Sequence, residues 1–216
     1  MASRERHYSL FDRLIGQADN ALRTVARGHQ GTQREFPAEA TGVPALSERE
    51  RRHVAGLMRV NHTGEVCAQA LYQGQALTAR LPRIRRQMEI SAQEEEDHLA
   101  WCEQRLDELN SHTSLLNPLW YLMSFGIGAG AGVIGDRWSL GFVEETEIQV
   151  CAHLESHMGR LPAQDERSRR ILAQMHEDEA LHARKAKRAG AMRLPKPVQK
   201  AMKLTAKVMT STAYKI

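Results

Sequence analysis

The segment Glu94-Glu95-Glu96-Asp97-His98 contains a Glu-x-x-His motif, and the motif returns as Glu179-Ala180-Leu181-His182. A lone glutamate precedes each copy by about thirty residues, Glu65 in the first and Glu147 in the second. Residues at i and i+3 lie on one helix face, so the Glu and His of each motif can point at one metal ion. Four carboxylates and two imidazoles from four helices form a ligand set for two iron or manganese ions. The pattern predicts an all-α four-helix bundle with a dimetal centre.

The two copies also share a turn, Arg80-Leu81-Pro82 in the first and Arg160-Leu161-Pro162 in the second. Proline suits the first turn of a new helix and ends the previous one, so each copy is predicted to be a helical hairpin. A capping box in Ser47-Glu48-Arg49-Glu50 predicts the start of the first helix. We expect the four helices of the bundle at about 48–80, 82–109, 137–158 and 163–190.

The predicted ligands fall on the apolar faces of their helices. One row at spacings of three and four contains Ile84, Met88, Ser91, Glu95, His98 and Cys102. The other contains Ile171, Met175, Glu179, His182 and Ala186. Charged side chains on a buried face are costly unless they bind metal or form pairs. Two divalent cations would balance four buried glutamates, which favours metal binding.

Several assignments have alternatives. A single Glu-x-x-His is common on solvated helices, and only the matched repetition favours a metal site. In the third helix Glu144, Glu145 and Glu147 are all candidates, and Glu147 gives the better-matched hairpin. His153 is a candidate partner that supports Glu147. The remaining histidines, among them His62, are by default surface or core residues.

Composition agrees with a helical globular chain of 216 residues, 26% charged and 42% apolar, with a net charge of only +4. We find no convincing strand pattern. The three cysteines, Cys67, Cys102 and Cys151, are odd in number, and we expect reduced residues inside helices in a cytosolic compartment. The opening residues do not resemble a secretory signal. The basic residues lie in short stretches without interleaved aromatics, so we expect no nucleic-acid partner.

Two segments predict contact with a membrane surface. Residues 115–135 are uncharged and long enough to cross a bilayer, but a crossing would separate hairpins that must share one metal site. We therefore expect a buried or interfacial crossover helix, in which Trp120 and Tyr121 suit an interfacial position. Residues 195–213 form a basic amphipathic tail, a type of helix that often lies on anionic membranes.

Four segments of the chain resemble the bacterial 3-demethoxyubiquinol 3-hydroxylase family. They are Asn61-His62-Thr63-Gly64-Glu65, residues 94–98, Glu144-Glu145-Thr146-Glu147 and Glu179-x-x-His182. The resemblance extends from about residue 48 to the C-terminus. It implies a ferritin-like di-iron monooxygenase in ubiquinone biosynthesis. It also implies that Glu65 and Glu147 are terminal ligands, that Glu95 and Glu179 bridge the irons, and that His98 and His182 each hold one iron.

The family's reaction uses O₂ to hydroxylate the ring of a polyprenyl 3-demethoxyubiquinol, giving 3-demethylubiquinol. The resemblance thus implies a peripheral protein on the cytoplasmic face of the inner membrane. No Gly-x-Gly-x-x-Gly or Cys cluster is evident, so we expect electrons from a partner, a small reductant or the quinol, and a quinol-delivery partner is possible. A ferritin-like iron-oxidising or peroxide-scavenging protein and a non-enzymatic lipid- or quinone-binding scaffold are the alternatives.

The predicted organisation has two parts. Residues 1–46 form an N-terminal helix, over 8–27, and a loop. Residues 47–216 form the ferritin-like catalytic domain, which includes the apolar crossover at 110–136 and the basic tail helix at 195–213.

Overall fold

The computed structural model describes residues 10–29, 31–32 and 34–216, and the regular secondary structure in these ranges is entirely helical. The prediction of an all-α fold is confirmed. The helices are α1 (Leu10–Val25), α2 (Glu48–Thr78), α3 (Pro82–Glu108), α4 (Asn117–Ile134), α5 (Asp136–Met158), α6 (Glu166–Arg188) and α7 (Lys196–Ala213). Residues 8 and 9 of the predicted first helix lie outside the described residues.

The bundle consists of two helical hairpins, α2 with α3 and α5 with α6. The predicted capping box begins α2: the Ser47 hydroxyl accepts from the Glu50 N–H at 3.3 Å, and the Glu50 carboxylate accepts from the Ser47 N–H at 2.8 Å. Pro82 opens α3 as predicted. The predicted start of α6 at 163 is wrong, because the chain first makes a turn after Pro162. Asp165 then caps α6 by accepting from the Ser168 N–H at 3.1 Å.

Two apolar clusters lie on either side of the predicted ligands. One cluster includes Leu57, Trp101, Leu106, Leu154, Ile171 and Met175. The other includes Tyr72, Ile84, Met88, Leu140, Val143 and Ala186. Each bundle helix contributes to both clusters and carries its ligand positions between them. Every member of the two predicted ligand rows is buried, so the predicted faces are confirmed.

The crossover helix α4 packs closely along α2 through glycines. A Cβ on Gly128 would lie 2.3 Å from the Leu71 carbonyl oxygen, so only glycine allows this approach. Trp120 and Tyr121 are buried, so the prediction of an interfacial position is wrong for both. The outer face of α4 instead exposes aliphatic side chains, among them Leu119, Leu122, Val133 and Ile134. Within the described ranges, none of the helices combines the length and hydropathy needed to cross a membrane.

The tail helix α7 lies against α2 and α5, and over its own span only Ala213 is buried. Its exposed surface contains Leu204 and Val208. It also exposes four lysines, called here the tail lysines: Lys196, Lys200, Lys203 and Lys207. Beyond α7, the Tyr214 hydroxyl lies 2.7 Å from Nδ1 of His53, which fixes the C-terminus to the bundle.

The described part of the loop at residues 26–46 docks on α3. The Glu103 carboxylate accepts hydrogen bonds from the N–H groups of Gly28 and His29 at 2.9 and 3.1 Å. The Thr32 hydroxyl donates to Asp97 at 2.7 Å. Because both acceptors are buried residues of α3, the described part of the loop is held against the bundle.

Candidate metal centre

The structure brings all six predicted ligands together in the middle of the bundle. They come from α2, α3, α5 and α6, and none is more than 3% exposed. Their donor atoms form two groups that share Glu179: Glu65, Glu95, His98 and Glu179, then Glu147, Glu179 and His182. Two adjacent metal ions with a common carboxylate would suit this arrangement.

Glu95 and Glu179 each present one oxygen to each imidazole. Nδ1 of His98 lies 2.9 Å from Oε2 of Glu95 and 3.1 Å from Oε1 of Glu179. Nδ1 of His182 lies 3.2 Å from Oε1 of Glu95 and 3.0 Å from Oε2 of Glu179. A carboxylate with its two oxygens directed at two different imidazoles is placed to bridge two ions.

Glu65 and Glu147 lie at opposite ends of this central group. Oε2 of Glu65 is 3.5 Å from Nδ1 of His98, whereas Glu147 belongs to the group that contains His182. The Tyr72 hydroxyl donates to Oε1 of Glu147 at 2.6 Å. These positions agree with terminal ligands, one for each ion.

Tyr72 takes the supporting role that the sequence suggested for His153. The His153 ring instead packs on His157 with 3.9 Å between ring centroids. Tyr72 follows Glu65 by seven residues, or two helical turns, so both lie on the same face of α2. This spacing is the sequence feature that could have identified Tyr72 as a residue of the centre. Burial raises the pKa of Tyr72 well above its ordinary value, and the charge of Glu147 raises it further, so the phenol remains a donor.

The register of the third helix favours Glu147. Its side chain is 1% exposed, whereas the Glu144 side chain is 19% exposed and lies 3.9 Å from the Lys187 ammonium at the surface. Glu145 belongs to neither ligand group and accepts a hydrogen bond from Gln149 at 2.7 Å. Only Glu147 of the three candidates reaches the centre.

Two carboxylates that the sequence analysis did not single out hold the outer nitrogens of the imidazoles. Nε2–H of His98 donates to Asp178 at 3.0 Å, and Nε2–H of His182 donates to Glu94 at 2.6 Å. These bonds leave each Nδ1 directed at the centre, the arrangement of a metal-binding imidazole supported by a carboxylate. Glu94 immediately precedes Glu95, and Asp178 immediately precedes Glu179. Each of these two acids nevertheless contacts the histidine of the other hairpin.

The centre contains buried polar atoms without a hydrogen-bond partner: both oxygens of Glu95, Nδ1 of His98, Oε2 of Glu147 and Oε1 of Glu179. Burial raises the pKa of Glu65 and of Glu147 well above their ordinary values, and the charge of Glu179 raises both further. A nearby divalent cation reverses this effect and satisfies the open lone pairs. The residues therefore fit a dimetal centre, and the ligand assignment itself stays a prediction that this geometry supports.

A cavity of about 690 Å³ lies between α2, α4, α5 and α7 and reaches Glu65. Its walls are mostly apolar, with Leu71, Trp120, Ile127, Phe142, Met202 and Met209 among them. Asn61, Ser124 and His153 are polar wall residues. The volume is typical of a pocket for a small organic molecule. The candidate site therefore combines a metal centre with an apolar chamber that ends at one of the predicted ligands.

The family model described as "Ubiquinone biosynthesis protein COQ7" matches residues 52–213, which include the six predicted ligands. The 3-demethoxyubiquinol 3-hydroxylase of Stutzerimonas stutzeri is 62% identical over 212 residues, or 98% of this chain and 99% of that protein. Proteins of the same name from Acinetobacter baumannii and Pseudomonas savastanoi pv. phaseolicola are each 59% identical to this chain. The matches cover 97% and 98% of this chain, respectively, and 99% of each relative. The chain belongs to the ubiquinone biosynthesis protein COQ7 family.

Proposed function

We propose that this chain is a 3-demethoxyubiquinol 3-hydroxylase whose six buried glutamates and histidines hold two iron ions. The observation that carries the proposal is the apolar cavity that reaches Glu65 at the edge of the candidate metal centre. The relatives named above carry the same activity in their names over almost their whole length. A metal centre alone would suit many oxidations, whereas the adjoining chamber suits an apolar ring.

Iron is the proposed metal because mixed carboxylate and imidazole ligands suit it and can leave positions open. When bound, a pair of ferrous ions supplies electrons that activate O₂. Glu95 and Glu179 would hold both ions, and Glu65 and Glu147 would complete the ligand set. Asp178 and Glu94 fix the orientation of the imidazoles, and Tyr72 fixes Glu147.

The cavity walls position the quinol. Apolar side chains from α2, α4 and α5 would pack on the ring and exclude water. Asn61, Ser124 and His153 are among the polar wall residues and could bond the hydroxyl or methoxy oxygens of the ring. The buried Nε2 of His153 has no hydrogen-bond partner in the described chain, which suits this role. The ring carbon that gains oxygen would then face the Glu65 end of the cavity.

The membrane supplies the substrate in this proposal. The cavity walls include residues of α4 and α7, and both helices also expose aliphatic side chains, so a polyprenyl tail can leave between them. The tail lysines would attract anionic headgroups, at about 1 kcal/mol per lysine. These features support a peripheral position on the cytoplasmic face of the inner membrane, where an electron donor or a quinol-delivery protein could reach the enzyme.

A single-turnover reaction tests the proposed chemistry. Protein loaded anaerobically with ferrous iron receives a short-chain demethoxyquinol and then ¹⁸O₂, and mass spectrometry examines the product. We expect one labelled oxygen on the ring. Iron oxidation without a labelled product would refute hydroxylation by the isolated chain and favour an iron-oxidising protein.

Matched variants separate the metal centre from general effects on the fold. Glu95→Ala removes a carboxylate with both oxygens in the centre and should abolish iron retention and product. Glu96→Ala alters the neighbouring residue, which does not belong to the ligand groups, and should keep both. Iron content and activity that survive in the Glu95 variant would contradict its bridging role.

A further inference from the structure

A second group of metal-binding side chains lies outside the dimetal centre. His29 comes from the N-terminal loop, His62 from α2 and Glu103 from α3. His62 and Glu103 are buried and His29 is partly buried, and the exposed fractions of the His29, His62 and Glu103 side chains are 9%, 3% and 7%. Imidazole and carboxylate ligands in this number are typical of a site for one divalent transition metal.

The distances suit a single ion. Oε1 of Glu103 lies 3.0 Å from Nδ1 of His29 and 3.4 Å from Nε2 of His62. Ligand atoms about 2.0–2.2 Å from a tetrahedral zinc ion lie roughly 3.3–3.6 Å apart, so small adjustments complete the geometry. The Nε2 atoms of His62 and His29 are both buried, and neither makes a hydrogen bond of good geometry.

We propose that His29, His62 and Glu103 bind one zinc-class divalent ion that fastens the N-terminal loop to the bundle. Two imidazoles with a carboxylate leave a buried negative charge that such an ion neutralises. The second oxygen of Glu103 already accepts from the N–H groups of Gly28 and His29, which fixes the carboxylate for binding. A water molecule would occupy the fourth position.

Asn117 supports His62 from the other side. Its amide lies 3.3 Å from Nδ1 of His62, and its oxygen accepts from the Thr63 hydroxyl at 2.9 Å. Metal binding at Nε2 places the proton of His62 on Nδ1, so the Asn117 amide must turn to offer its oxygen. The Thr63 hydroxyl can then accept from the amide N–H instead of donating, and the network stays satisfied.

The proposed ion is connected to the dimetal centre through the loop that it fastens. Arg34 lies five residues after His29, and its guanidinium donates to Asp178 at 2.8 Å. Asp178 in turn accepts from Nε2–H of His98. His29 and Arg34 both lie outside residues 52–213, so the loop adds a support that the matched family region does not contain.

Zinc stoichiometry tests the proposal without an activity assay. The full chain is stripped with a chelator, reloaded with Zn²⁺, washed and examined by elemental analysis. We expect three retained equivalents in the unmodified chain and two in His29→Ala. His112→Ala, which removes an exposed histidine, should retain three. Two equivalents in the unmodified chain, or equal numbers in the unmodified and His29 chains, would overturn the proposal.

Proteolysis of the loop gives a second, structural readout. Zn²⁺ should slow cleavage within residues 26–46 at least tenfold in the unmodified chain and leave the rate unchanged in His29→Ala. Glu103→Gln, which keeps the side-chain shape, should also lose the zinc effect. Circular dichroism verifies that both variants retain the helical fold. Zinc protection that persists in both would show that the ion acts elsewhere.

Discussion

Gly64 offers a substitution that should make the protein more stable and less active. It lies in the middle of α2 beside Glu65, in the wall of the cavity, and a Cβ there meets no atom within 4 Å. Gly64→Leu therefore extends a side chain into the cavity without a clash at its base. Leucine favours a helix interior over glycine by about 0.7–1 kcal/mol, so the free energy of unfolding should rise by that amount. The Tm should increase by roughly 2–3 °C for a chain of this size.

The same side chain occupies space that the proposed quinol ring needs. A displacement of the ring by about 1 Å from its reactive position costs roughly 100-fold in rate, or about 2.7 kcal/mol in the barrier. We expect kcat/KM for a short-chain quinol to fall by at least about that factor, while iron content stays unchanged. Thermal unfolding and steady-state kinetics on the same preparation measure both effects.

Gly16→Leu is the matched control, because Gly16 lies in α1 with no atom within 4 Å of its Cβ position and away from the cavity walls. It should give the same stabilisation without loss of activity. A Gly64 variant that is stabilised yet fully active would refute the assignment of the cavity to the substrate. A destabilised variant would show that the space beside Gly64 is not open.

Four further results follow from the packing and charge of the molecule. Glu94→Gln should weaken metal retention by about 10–100-fold, measured by competition with a chelator, because it removes the carboxylate that orients an imidazole; unchanged retention would contradict this role. Arg105→Ala should lower the free energy of unfolding in urea by about 3–5 kcal/mol, because it leaves the buried Asp165 carboxylate without its 3.0 Å partner. Gly128→Ala should cost about 1–3 kcal/mol through the clash with α2, whereas Gly126→Ala, with open space around its Cβ position, should not destabilise; equal effects would refute close packing as the cause. Replacing the tail lysines with glutamine should reduce flotation with anionic vesicles but not with neutral ones, and unchanged flotation would exclude the tail as the contact.

The sequence predicted the helices and the six central side chains because both depend on local periodicity. Glu95 and His98 share a helix face whatever the geometry of the bundle. The lengths of the two hairpin legs then bring Glu65 to about the same height along the bundle. The start of α6 was misplaced because Pro162 suited a helix start, whereas the stronger cap is the Asp165 carboxylate.

The supporting residues were not predicted because their roles depend on contacts between hairpins. Glu94 is one of three consecutive glutamates, and no spacing within α3 identifies the one that faces His182. His62 was expected to be a surface or core residue. Its proximity to His29 depends on how the N-terminal loop docks, and that docking rests on hydrogen bonds to Glu103.

The crossed bonds of Glu94 and Asp178 mean that neither hairpin contains a finished half of the centre. The imidazole of each hairpin is held at Nε2 by an acid of the other hairpin, so the complete centre requires both hairpins to be docked. The first hairpin alone brings Glu65, Glu95 and His98 together, but it contains neither Glu179 nor the acid that holds Nε2 of His98. A variant that weakens the docking of the two hairpins should therefore impair the centre even when all six predicted ligands are intact.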